Sequence, residues 1–440
     1  MRHPISTFSF HLLRIALLVI FAASTTTTLY ADEVTDWVQV LLQAVHTAST
    51  PPVVTTRNAA IVEASVFDAV NGIKRHYQPI HVMPNAPRGA SARAAAVQAA
   101  YASLVKLYPA QLSTFDAART LSLNAILNGK GGMKQQQKRK AEVDAGVAWG
   151  QEVADAIWAW RSTDGFTPNP PPFLGGTAVG EWRPTPPAFA PGQFPQFAYM
   201  TPWVIVTPSQ FRPAGPPALT SALYAKVFNE VKTMGSLSSV LRTAEETAYA
   251  QFWATSTPAY NWNSVAIYLG AQRNMTLLEN AHVFAELNVA VADAAIAVWD
   301  AKYHYVFWRP VTAIPLADTD GNPATIADPT WKPLLTTPSH PEYPSAHAGL
   351  TGAAAAVLAH FFGEDSSFVV PSDALPGVVR SFSSFDAAQD EVANARIFGG
   401  IHYRSSTDDG RKLGTAVGKY VIENALQRFD RGDHEEDDDD

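Results

Sequence analysis

The chain has 440 residues, of which 47% are hydrophobic and 16% charged, with a formal net charge of −8 and no cysteine. That is ample for a large buried core and too low in charge for a disordered chain. The missing cysteines exclude disulfides, thiol catalysis, thiolate zinc sites and iron–sulfur clusters. No basic patch is interleaved with aromatics, so nucleic acid is not an expected partner.

The first segment, 1–31, reads as a secretory signal. Arg2 and Arg14 precede an apolar run at 15–23, and Leu29-Tyr30-Ala31 offers a cleavage site. The run is short for a full span, and no other stretch is expected to cross a bilayer. The expectation is export, to the periplasm or the outside. Residues 32–430 then read as one unit with helical texture. Apolar residues recur at three- and four-residue spacing over 57–73, 90–107, 110–127, 135–161, 219–232, 242–253, 275–300, 346–362, 386–399 and 410–428. Alternating strands are few, so the fold class is all-α, with helices packed as bundles. The prolines from Pro168 to Pro217 forbid regular helix. Aromatics such as Trp182, Phe194 and Trp203 suggest that this segment packs on the bundle and roofs a pocket. Residues 431–440 carry the acidic run Glu435-Glu436-Asp437-Asp438-Asp439-Asp440, a solvated tail.

Three short segments carry the chemistry: Lys302-x6-Arg309-Pro310, Pro344-Ser345-Ala346-His347, and Arg396-x5-His402. An oxyanion such as phosphate or vanadate presents negative oxygens in several directions. Arg309 and Arg396 offer planar forks and Lys302 a point charge to meet them. The turn at Pro344 leads into a helix, so it offers backbone N–H groups and a positive dipole end. Ser345 adds a hydroxyl, and small Ala346 admits close approach. His347 and His402 titrate near neutrality, so one can be a general acid or base and the other a nucleophile or metal ligand.

These segments resemble the superfamily of vanadium-dependent haloperoxidases and type 2 phosphatidic acid phosphatases, whose pattern is K-x6-R-P, P-S-G-H and S-R-x5-H-x3-D. This chain departs from it at Ala346, at Ala395 and at Ser406, which stands where the aspartate is expected. The flanking text around 293–314, 340–347 and 396–410 looks like the bacterial haloperoxidase branch. The resemblance implies two four-helix bundles, with the motifs in a C-terminal bundle spanning about 275–428. It implies vanadate as cofactor, with phosphate able to compete. Lys302, Arg309, Ser345, Ala346 through its N–H, and Arg396 would hold the oxygens. His402 would ligate vanadium, and His347 would be the acid–base residue acting on peroxide. Asp408, Asp409, Ser406 or a main-chain carbonyl would orient His402.

His340 falls at the family's halide-site position, and Trp299 near the halide pocket. For each, a packing role competes with the halide role. The expected partners are hydrogen peroxide, a halide and a small organic acceptor, and an oligomer is left open. The expected activity is halide oxidation to hypohalous acid, bromide or iodide favoured. Two rivals are an exported soluble acid phosphatase working through a phosphohistidine and a non-catalytic oxyanion-binding protein.

Overall fold

The computed structural model describes residues 32–429, apart from 256, 373 and 376. The signal-like segment and the acidic run lie outside them. The described residues form thirteen α-helices and one two-stranded sheet. In the N-terminal half, α1 (Glu33–Thr47), α2 (Pro52–Lys74), α3 (Ala92–Leu107), α4 (Leu112–Leu127) and α5 (Met133–Arg161) pack together. The irregular segment with its buried Trp182 follows. Then come α6 (Ala222–Met234), α7 (Ala244–Thr255), α8 (Pro258–Gln272), α9 (Leu277–Tyr305), α10 (Pro310–Ala313), α11 (Ala346–Phe362), α12 (Phe385–Phe398) and α13 (Arg404–Asn424). Strands β1 (Phe368–Pro371) and β2 (Val379–Phe382) form an antiparallel hairpin between α11 and α12.

Helix α9 is the axis. Thr276 and Glu279 close a capping box at its start, satisfying N–H groups that would otherwise be orphaned. Its alanine-rich body touches α2 on one side and α11 and α13 on the other, and one continuous apolar core runs through both halves. Among the described residues it is the helix long and apolar enough to cross a membrane. The expectation that no such stretch follows the signal is corrected, but α9 is almost wholly buried inside the protein. Helices α11 and α13 approach closely because small residues face each other. A Cβ at Gly414 would lie 1.8 Å from the Gly349 carbonyl oxygen, and one at Gly410 would lie 2.6 Å from that of Ser345. That closeness sets the Pro344-Ser345 turn against the start of α13.

Besides short α10, two helices absent from the sequence reading appear, and among the shifted boundaries one bears on the motifs. α1 was not expected. Asp32 caps it, accepting from the N–H groups of Val34 and Thr35. α8 was also missed, although Thr257 caps it and Pro258 occupies its first position. α13 begins at Arg404 rather than 410, which places Ser406 in its first turn.

Candidate active site

Lys302 sits in the last turn of α9, not after it as the sequence suggested. Val306 then closes the helix with φ 48°, a left-handed conformation that a β-branched residue rarely takes. The turn at Val306 is tied down from outside. Trp182 donates its N–H to the Val306 carbonyl (2.6 Å), and Trp308 donates to that of Gly180 (2.9 Å). Arg309 comes next, just before Pro310 opens α10.

Lys302 is fully buried, and its ammonium donates to the carbonyls of Pro341 (2.9 Å), Glu342 (2.9 Å) and Pro344 (2.6 Å). The lysine of the first segment therefore clamps the turn of the second. Burial, then Arg309, hold its pKa well below the usual lysine value. Arg309 is equally buried. Its Nε donates to the His340 carbonyl (3.0 Å) and Nη1 to that of Ile401 (2.7 Å). Nη1 also lies 3.2 Å from His402 Nε2, and Nη2 lies 3.0 Å from His340 Nδ1. A guanidinium can only donate, so both ring nitrogens are acceptors. Burial pulls Arg309 down to about 10 and Arg396 to about 9, the latter also repelled by Arg309.

Arg396, on α12, donates from Nη1 to the Trp253 carbonyl (3.3 Å), while its buried Nε has no partner. Ser345 stands at the N-cap of α11 but makes no capping bond, and its buried Oγ is also unpartnered. The free N–H groups of the first turn of α11 begin at Ala346. Two orphaned donors, an uncapped helix start and three buried cations form a cradle of donors. The residues present fit an oxyanion such as vanadate.

A cavity of about 210 Å³ opens on this cradle. His340, Ala346, His347, Arg396 and His402 line it, with Trp299 and Leu350. Gln193 and Phe194, from the proline-rich segment, also line it, so that segment does contribute to the roof. Asp293 of α9 anchors the roof by accepting from the N–H groups of Trp203, Val204 and Ile205 at 2.6–2.9 Å. Lys302, Arg309 and Ser345 are buried and are not among its lining residues. The His340 and Trp299 rings are 5.3 Å apart. Burial first, then the cations, hold His340, His347 and His402 well below the ordinary imidazole value. Both effects favour the neutral imidazole in all three.

The nearer partner of His402 Nδ1 was not among the candidates named from the sequence, although Ser406, one of them, also reaches the same nitrogen. Nδ1 lies 2.8 Å from Oε1 of Glu342, a fully buried residue of the loop before α11. Oε1 also accepts the N–H of Tyr403 (3.0 Å). Ser406 Oγ is more remote from Nδ1, at 3.4 Å. Asp409 instead accepts from the Tyr343 hydroxyl (2.8 Å), and no contact joins Asp408 to the ring. The signal available in the sequence was a lone acid, Glu342, two residues before Pro344.

A family model described as the VCPO second helical-bundle domain matches residues 282–431. The vanadium chloroperoxidase of Curvularia inaequalis is 25% identical over 77% of this chain and 71% of its own length. The crystal structure of a bacterial vanadium-dependent iodoperoxidase superposes with a TM-score of 0.78 at 28% identity, covering 91% of this chain and 98% of that one. A holo-type bacterial vanadium-dependent chloroperoxidase shares the fold, with a TM-score of 0.66 at 18% identity, over 85% of this chain and 91% of that one. With the motif geometry, the chain is thus similar over most of its length to vanadium-dependent haloperoxidases.

Proposed function

We propose that the protein is a vanadate-dependent haloperoxidase that oxidises bromide or iodide with hydrogen peroxide to hypohalous acid. The observation that carries this reading is the cradle itself. Arg396 Nε and Ser345 Oγ are buried and unpartnered beside the uncapped start of α11, and His402 lines the same cavity. When bound, vanadate supplies a Lewis-acidic centre that polarises peroxide. Arg396, Ser345 and the N–H of Ala346 would hold the anion's oxygens, and buried Lys302 and Arg309 would add positive charge nearby. His402 offers the lone pair of Nε2, since Nδ1 faces the Glu342 carboxylate. Neutral His347 stands at the cavity wall, where it accepts a proton from peroxide and later returns it to product.

The halide preference rests on His340 and Trp299, which share one side of the cavity. A neutral imidazole beside the anion makes a more polar pocket than a phenyl ring would. Bromide and iodide give up electrons more readily than chloride and need less activated peroxide. A cavity of about 210 Å³ suits peroxide, a halide and a small organic acceptor. Phosphate shares the shape and charge of vanadate and competes for the cradle.

A side-by-side assay tests the reading. Protein reconstituted with orthovanadate should halogenate a dye with peroxide and bromide or iodide, and excess phosphate should inhibit. Equal halogenation by vanadate-free, chelator-treated protein would refute metal dependence. Phosphate-ester hydrolysis without halogenation would favour the phosphatase rival.

A further inference from the structure

We propose that Glu342 is the positioning residue of His402, in a chain where Ser406 replaces the aspartate that the family pattern has four residues beyond the histidine. This inference rests on the reading of His402 as the vanadate ligand. The site reads H-x3-S in this chain, so the expected acid is missing at Ser406. Yet a metal-ligating histidine needs a partner for its second ring nitrogen, to fix the tautomer and the ring's orientation. The structure supplies one from the opposite side. Glu342 Oε1 is 2.8 Å from His402 Nδ1, and both side chains are almost wholly shielded from solvent. Ser406 still approaches the same nitrogen, at 3.4 Å, but with a short neutral group. The acid beside His402 comes from the loop before α11, not from the first turn of α13.

Glu342 is held firmly enough for this task. Its N–H donates to the Phe307 carbonyl (2.9 Å), and its own carbonyl accepts from Lys302 Nζ (2.9 Å). Its carboxylate also accepts the N–H of Tyr403, the residue after His402 (3.0 Å). One residue thus ties all three motif segments together. The ring of His402 is aimed by the same loop whose end forms the cradle, so ligand and cradle hold a fixed relation.

A different role would be charge balance alone, because Glu342 lies beside Lys302 and Arg309, whose charges oppose the burial that raises its carboxyl to about 7. The two roles predict opposite signs. Removing a negative charge beside an anion site should tighten vanadate binding if balance is all that Glu342 provides. Removing the group that aims His402 should weaken it. The test therefore measures vanadate affinity and, separately, the His402 tautomer by ¹⁵N NMR of the imidazole without vanadate.

In the wild type, Nδ1 should carry the proton. Glu342→Ala should lose that single tautomer and weaken vanadate binding by about 10–100-fold. Glu342→Gln, whose amide oxygen can still accept from Nδ1–H, should lose less. Adding Ser406→Asp to Glu342→Ala should restore the tautomer and most of the affinity. The proposal is overturned if Glu342→Ala binds vanadate as tightly as the wild type, or more so, with Nδ1 still protonated. Should Glu342→Ala fail to fold, the double variant decides alone: it must fold, keep Nδ1 protonated and bind vanadate within a few-fold of the wild type. A wild type that shows the Nδ1–H tautomer but binds no vanadate would refute the haloperoxidase reading and leave the positioning role standing.

Discussion

Replacing Lys302 with methionine is predicted to damage the fold as much as the anion site. The sequence suggests a lysine that grips oxygens, but the structure commits its ammonium to the carbonyls of Pro341, Glu342 and Pro344 at 2.6–2.9 Å. Methionine keeps the length of the side chain and removes every donor. Each buried carbonyl left without its partner costs roughly 1–3 kcal/mol. Three of them give roughly 3–9 kcal/mol, and the buried cation's own desolvation cost, which the substitution removes, brings the net to the lower end. A loss of about 3 kcal/mol is a large share of the roughly 5–15 kcal/mol that holds a typical domain together. Urea denaturation of the vanadate-free protein measures it directly. Lys302→Arg provides the contrast, since it keeps the charge but cannot place donors on three carbonyls from one atom. If Lys302→Met lost vanadate affinity but less than about 1 kcal/mol of stability, the clamp would not be the lysine's main task.

Other expectations concern single groups. Glu63, buried in α2 with Oε1 unpartnered, has its carboxyl pushed by burial from 4.5 up to about 8. Because the folded value is raised, its stability contribution is complete below about pH 4.5 and is lost as pH rises through 8. Glu63→Gln should match the wild type at pH 5 and exceed its stability at pH 9 by up to roughly 5 kcal/mol; a pH-independent difference in chemical denaturation would contradict this. His402→Ala should abolish or greatly weaken vanadate binding, whereas His347→Ala should bind vanadate and lose turnover; titrating vanadate into both variants checks the assignment, and the reverse pattern would exchange the roles. His340→Phe should raise the ratio of chloride to bromide turnover, and it should also weaken vanadate binding because Arg309 Nη2 loses its 3.0 Å acceptor. An unchanged turnover ratio would remove His340 from the halide pocket.

The parts legible in the sequence were those governed by local spacing. Alternation at three and four residues found the long helices, and α11 was placed at its observed ends. The motif spacings brought His347, Arg396 and His402 to one cavity because a helix start and a helix end fix where such residues face. What stayed hidden depended on contacts between distant segments. Lys302 reads as an anion ligand until the Pro341–Pro344 loop folds over it. Glu342 reads as an ordinary loop acid until α13 packs on α11 closely enough to set His402 beside it. Helix α1 differs, because its start was legible locally: Asp32 caps it directly after the signal-like segment, and Val34, Trp37, Val38 and Leu41 form its buried face.

The central claim is that His402 and the cradle around it hold vanadate for halide oxidation. Titrating orthovanadate into vanadate-free protein while recording both bound vanadate and bromide-dependent halogenation tests it most directly. Activity should rise in proportion to bound vanadate, saturate at one per chain, and be absent from His402→Ala at the same total vanadate. Halogenation that does not follow occupancy, or that survives in His402→Ala, would contradict it.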